Sequence, residues 1–192
     1  MRAWSVLGLG AALCTLGGAQ RLPHALTKRI FGGVQAASHE YPFAVYVSSP
    51  ASTNNTACAG AILTNQIIVT AALCVYDYNT KSAISAGSVS IGFGNSDRGA
   101  QPQVKVKKII VPSTYNPSTG IDNIALIQVD LIKAISNSTN RIPVYAGDAL
   151  NGDSLVAMGW GMSRPGDSAS ANVLQSVNVT VGDDFNCNKS KL

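Results

Sequence analysis

Ile67-Ile68-Val69-Thr70-Ala71-Ala72-Leu73-Cys74 is the stretch that decides the fold. Three branched aliphatic residues and a threonine favour a short, buried strand. The two alanines that follow are small enough for a tight turn, and the turn ends on a cysteine. Upstream, Cys58 to Leu63 is a second apolar run, and Thr64-Asn65-Gln66 between the two has turn composition, so the pair reads as a β-hairpin.

The rest of the chain has the same character. Its 192 residues are rich in Gly, Ser, Thr, Val and Ile, and only 12% are charged. Short apolar runs broken by Gly, Pro and Asn recur: Phe43 to Val47, Ser88 to Gly94, Gln103 to Val111, Asp122 to Val129, Ser154 to Gly161 and Val173 to Val181. That pattern predicts an all-β barrel or sandwich. Residues 1–19 have the form of a signal peptide: Arg2, an apolar stretch from Val6 to Leu16 too short to span a bilayer, then Gly17-Gly18-Ala19. The chain is thereby expected to be secreted, with no membrane attachment after the leader is removed.

The net charge of +4 comes from Arg2, Arg21, Lys28 and Arg29. From Ile30 onward ten basic residues balance ten acidic ones, so no nucleic-acid footprint remains. Lys105 and Lys107 alternate with Val104 and Val106, as on the wet face of a strand. Asn54, Asn137, Asn178 and Asn188 each open an Asn-x-Ser/Thr sequon and are candidate N-glycosylation sites.

Four motifs in a fixed order carry a resemblance to a known family. Arg29-Ile30-Phe31-Gly32-Gly33, Thr70-Ala71-Ala72-x-Cys74, Ile124-Ala125-Leu126 and Gly159-Trp160-Gly161 together resemble the chymotrypsin/trypsin family of serine peptidases. The resemblance covers residues 30 to about 187. It implies a double Greek-key β-barrel, with the first barrel complete over residues 30 to about 140 and a partial second barrel over about 146–192. It implies that residues 20–29 are a propeptide cut between Arg29 and Ile30, and that Cys58 and Cys74 form the disulfide that pins the strand to the turn. Cys14 leaves with the leader, and Cys187 is left over.

The family's mechanism needs a serine nucleophile, a histidine base and an aspartate that fixes the histidine's tautomer, with backbone N–H groups to hold the oxyanion. At the base position of T-A-A-H-C stands Leu73, which has no lone pair to accept a proton. At the aspartate position stands Asn123, and the neighbouring Asp122 is expected to point to the opposite face of a strand. The G-D-S-G-G-P motif does not occur before Leu192. Asp167-Ser168 follows the Gly-Trp-Gly strand too soon to stand for it, His24 lies in the propeptide, and His39 reads as part of a surface turn. No metal-ligand spacing or phosphate loop stands out, and no cofactor is expected. The leading expectation is therefore a secreted, non-catalytic binding or decoy protein whose unknown protein partner is another secreted hydrolase. The alternative is a serine endopeptidase relative whose catalytic end lies outside this sequence.

Overall fold

The computed structural model describes residues 33–50, 58–132, 140–162 and 170–182. Among them there is no α-helix. In chain order the strands are β1 (Val34–Gln35), β2 (Ala44–Ser48), β3 (Cys58–Ile62), β4 (Ile67–Thr70), β5 (Tyr76–Asp77), β6 (Ser82–Ala83), β7 (Ser90–Phe93), β8 (Gln103–Val104), β9 (Val106–Ile110), β10 (Ala125–Val129), β11 (Ser154–Gly159) and β12 (Gln175–Thr180). Single 3-10 turns occur at Ala72–Cys74, Ala86–Ser88 and Arg98–Ala100.

Seven strands make one antiparallel sheet in the order β8-β7-β2-β3-β4-β10-β9. Its two edges are consecutive pieces of one chain segment. Residues 103–111, expected as a single strand, bend at Lys105, whose carbonyl turns to accept the Asp130 N–H at 2.9 Å. The bend lets the sheet curl back toward itself as a nearly closed barrel. A register shift between Gln128 and Val129 sharpens the curl.

Side-chain alternation places the core. In β10, Ala125, Ile127 and Val129 point inward while Leu126 and Gln128 are half-buried. They meet Val45, Val47, Ile62, Ile68 and Ile91, all with no exposed surface. Each such aliphatic side chain stabilises the fold by about 1.5–3 kcal/mol relative to an exposed one. The β3–β4 hairpin forms as its composition suggests. Ile67 accepts from Leu63 and Thr64, and the Thr64 hydroxyl accepts the Gln66 and Ile67 N–H groups. Gly60 is required here by close approach: a Cβ would lie 2.7 Å from the Val69 carbonyl oxygen.

The second sheet has the order β1-β12-β11. Its first strand comes from the start of the described chain, ahead of every strand of the seven-stranded sheet. Val34 and Gln35 pair with Ser176 and Gln175 of β12, so the start of the described chain crosses to the second half. Ala36, Ala44, Trp160 and Leu174 form a small core where the halves meet. Val34, Leu155, Val156 and Val179 of this sheet are exposed.

The halves are joined by polar contacts as well. Leu174 and Trp160 both donate to the Ser96 carbonyl, at 2.9 and 2.8 Å. Arg98 donates to Asn172 Oδ1 through Nε and Nη2, and through Nη1 to the Tyr46 hydroxyl. The Tyr46 ring stands edge-on to Trp160 with centroids 5.8 Å apart.

Candidate functional site

The Ala72–Cys74 turn begins where β4 ends. Ala71 is extended, and the Ala71 and Ala72 carbonyls accept from Cys74 and Val75 at 3.1 and 2.9 Å. A disulfide links Cys74 to Cys58 at the start of β3, with Cα atoms 6.1 Å apart. The turn is thus held by its own hydrogen bonds and by a covalent tie to the neighbouring strand. Leu73 sits in the middle of it, half-buried against the core of the first barrel.

Asn123 approaches from the other side, just ahead of β10. The strand expected from Asp122 starts only at Ala125, because Asp122 adopts φ +54° and its carbonyl accepts the Ile124 N–H at 2.7 Å. The different exposure of Asp122 and Asn123 therefore accompanies a three-residue turn rather than strand alternation. Asp122 is exposed, and Asn123 is half-buried. Asn123 Oδ1 accepts the backbone N–H of Leu73 at 2.9 Å.

The two sequence positions singled out as base and orienter are thus brought together, fifty residues apart in the chain. Their contact runs through the backbone of one and the side chain of the other. The amide oxygen satisfies the N–H of a half-buried turn residue, which is a structural task. Sequence reasoning weighed Asn123 only for what it offers a histidine. The signal for its second task was present: a polar residue bordering a buried apolar strand needs a hydrogen-bond partner.

His39 is exposed in the turn before β2, with φ +65° and Nδ1 2.8 Å from the Ser38 hydroxyl. Between the two sheets lies a cavity of about 300 Å³, walled by Phe43, Gly60, Val69, Thr70, Met158 and Trp160 among others. None of its lining residues titrates, so it offers apolar surface rather than acid–base chemistry. Among the described residues, no cluster of three His, Cys, Asp or Glu could hold a metal ion, and no helix is long and apolar enough to cross a membrane. Arg29, Ile30, Asn54, Asn137, Ser168, Cys187 and Asn188 lie outside the described residues. Asn178 is exposed on β12, opposite Val156.

Comparison with known proteins agrees with this architecture. The sequence profile of the trypsin family matches residues 30–192. The chain is 30% identical to trypsin beta of Drosophila erecta over 188 residues, spanning 96% of this chain and 71% of that protein. It is 29% identical to trypsin alpha of Drosophila melanogaster, spanning 96% and 70%. Among solved structures, a scabies mite inactivated protease paralogue aligns with a TM-score of 0.70 at 27% identity, over 84% of this chain and 66% of that one. A profile match over the whole region that builds the two sheets, on a backbone of the same topology, fixes the relationship: the chain belongs to the trypsin family of serine peptidases.

Proposed function

We propose that this protein is a secreted, non-catalytic member of the trypsin family that acts by binding another secreted protein, a hydrolase for which it serves as decoy or inhibitor. One observation carries the reading. Leu73 and Asn123 are read as the positions of the family's base and orienter, and the Leu73 N–H to Asn123 Oδ1 bond at 2.9 Å supports that reading by bringing them together, while neither side chain can take or relay a proton. The framework is kept and the acid–base chemistry is not. The likeness at 27% identity to a scabies mite protein described as an inactivated protease paralogue supports the same direction.

In this reading residues 1–19 direct secretion, residues 20–29 are removed at Arg29–Ile30, and residues 30–192 are the peptidase-like domain. Asn54, Asn137, Asn178 and Asn188 are the acceptors for N-glycans. The oxidising route suits the Cys58–Cys74 bond. A second reading, a serine endopeptidase relative whose nucleophile is encoded beyond Leu192, draws on the match spanning 71% of trypsin beta. Sequencing the transcript past Leu192 tests it directly.

The experiment for the leading reading has two arms. The secreted chain is assayed with fluorogenic peptides and a fluorophosphonate probe, and it is used as bait against secreted hydrolases with their activity as the readout. We expect no turnover and no probe labelling, together with inhibition or capture of a hydrolase. Labelling of a serine in this chain would sink the non-catalytic reading, and a folded chain that affects no hydrolase would sink the decoy role.

A further inference from the structure

A second concavity has neither Leu73 nor Asn123 in its lining. The β5–β6 hairpin and the segment from Lys108 to Tyr115 enclose a cleft of about 410 Å³, a size that accommodates a small molecule. Two buried rings contribute to it, Tyr76 and Tyr115, packed edge to face with centroids 5.0 Å apart. Lys81 lines it from the hairpin and Lys108 from β9, both exposed, and the Ser82 and Ser113 side chains add hydroxyls.

The charge of this cleft is one-sided. No Asp or Glu lines it. Lys107, next to Lys108, pairs with Asp130 at 2.8 Å, but among the described residues neither Lys81 nor Lys108 has a carboxylate within salt-bridge distance. The turn that presents Lys81 is well defined: Lys81 holds φ +52°, and Thr80 and Ser82 share a hydroxyl hydrogen bond of 2.9 Å. Burial pushes the Tyr115 hydroxyl up to about 12, with the Tyr78 hydroxyl adding to the effect. At neutral pH a phenol is protonated even at its ordinary value, so it brings no negative charge to the wall.

Aromatic surface and two ammonium groups that have no carboxylate partner among the described residues, with no acid in the lining and the Asp77 carboxylate of the same hairpin engaged by the Asn79 N–H, select for a ligand that is apolar at one end and negative at the other. We infer that this cleft binds a small amphipathic anion, its ring or aliphatic body against Tyr76 and Tyr115 and its carboxylate or sulfonate-type group drawn to Lys81 and Lys108. The inference is independent of the proposed decoy role, because the cleft uses neither Leu73 nor Asn123.

The test titrates the processed chain with naphthalene-2-sulfonate, and separately with the uncharged methyl naphthyl sulfone, following backbone amide shifts. We expect saturable shifts centred on Ala83, Lys108 and Ser113, with the sulfone at least about tenfold weaker. Raising salt from about 0.05 M to about 0.5 M should weaken the sulfonate and leave the sulfone unchanged. The variant K81E/K108E, altered only at exposed positions, should lose the sulfonate while keeping its circular dichroism. Ser113→Trp, which fills the cleft without touching its charge, should lose both ligands. Shifts confined to the exposed residues of β11 and β12, equal affinity for the two ligands, or unchanged binding by either variant would each overturn the inference.

Discussion

The backbone N–H of Leu73 is held by the side-chain oxygen of Asn123 at 2.9 Å. This bond ties the disulfide-pinned turn to the segment just ahead of β10, the strand that pairs antiparallel with β4. Asn123→Ala should leave the half-buried N–H without a protein partner and destabilise the fold by about 1 kcal/mol. Asn123→Asp keeps an acceptor at the same atom and should cost much less near neutral pH. Urea denaturation of the three proteins decides the matter. Equal loss from both substitutions would mean that the amide nitrogen, not the oxygen, is what position 123 supplies.

The disulfide acts on the same turn from the other end. Cys58 and Cys74 close a loop of sixteen residues, and the chain-entropy account gives such a bridge about 3 kcal/mol. The double replacement C58S/C74S should lower stability by that order. It should also raise backbone hydrogen exchange first at position 74 and at Val75, whose N–H groups bond within the turn of the parent. Stability within about 0.5 kcal/mol of the parent would show that the hairpin and the Asn123 bond hold the turn unaided.

Arg98 should behave as a clamp between the halves. Its guanidinium spans Asn172 and Tyr46, a forked geometry that an ammonium cannot reproduce. Arg98→Ala should cost about 1 kcal/mol, because the contacts to Asn172 are exposed. The informative readout is local. Exchange should rise across β11 and β12 and at Leu174, while the Ile67–Thr70 amides stay protected. Arg98→Lys should resemble the alanine variant. A uniform rise across both sheets would instead make Arg98 part of one cooperative unit.

How much of this was legible from residues alone follows from how local each feature is. The Cys58–Thr70 hairpin, the turn at Leu73 and the buried strand before Val129 are written in short runs of neighbouring residues, and the structure has them. The crossing of Val34 and Gln35 to β12 is not, since a two-residue strand has no periodicity and its partner lies about 140 positions away. The bend at Lys105 was invisible for a related reason. Alternation of Val104, Lys105, Val106 and Lys107 fits a straight strand, and only the distant Asp130 N–H explains why the Lys105 carbonyl turns away. At the candidate site the sequence singled out Leu73 and Asn123 from motifs alone, and it could not show that they touch through a backbone N–H.

Asp77 gives the fold an acid-sensitive turn. The Asn79 backbone N–H, donated to the carboxylate at 2.8 Å, holds the Asp77 carboxyl below its ordinary value, and Thr80 contributes more weakly. The sign follows from the depressed value. The turn's stabilisation is present above the unfolded value of 3.8 and is lost as pH falls through the lower folded one. We expect the Asn79 amide resonance to titrate at a pH below 3.8 and its exchange protection to fall over the same range. Asp77→Asn should abolish that titration. An Asn79 amide indifferent to acid would remove Asp77 as its acceptor.

The double substitution Leu73→His with Asn123→Asp separates position from chemistry at the candidate site. It installs an imidazole and a carboxylate at the two positions proposed for base and orienter, which the Leu73 N–H to Asn123 Oδ1 bond already brings together. A neighbouring carboxylate favours the imidazolium, so the introduced imidazole should titrate higher in the double variant than in Leu73→His alone. Because the folded value is raised, the pair's contribution to stability is full below the unfolded histidine value and is lost as pH rises through the folded one. Peptide hydrolysis should nevertheless stay at background, since neither substitution supplies a nucleophilic serine or an oxyanion hole. Proton NMR titration of the ring and a fluorogenic assay test the two halves separately. A raised imidazole value without turnover is the expected result. Identical titration in both variants would show that the two positions are not held together after all, and turnover blocked by a serine-directed inhibitor would reveal a nucleophile already present in this chain.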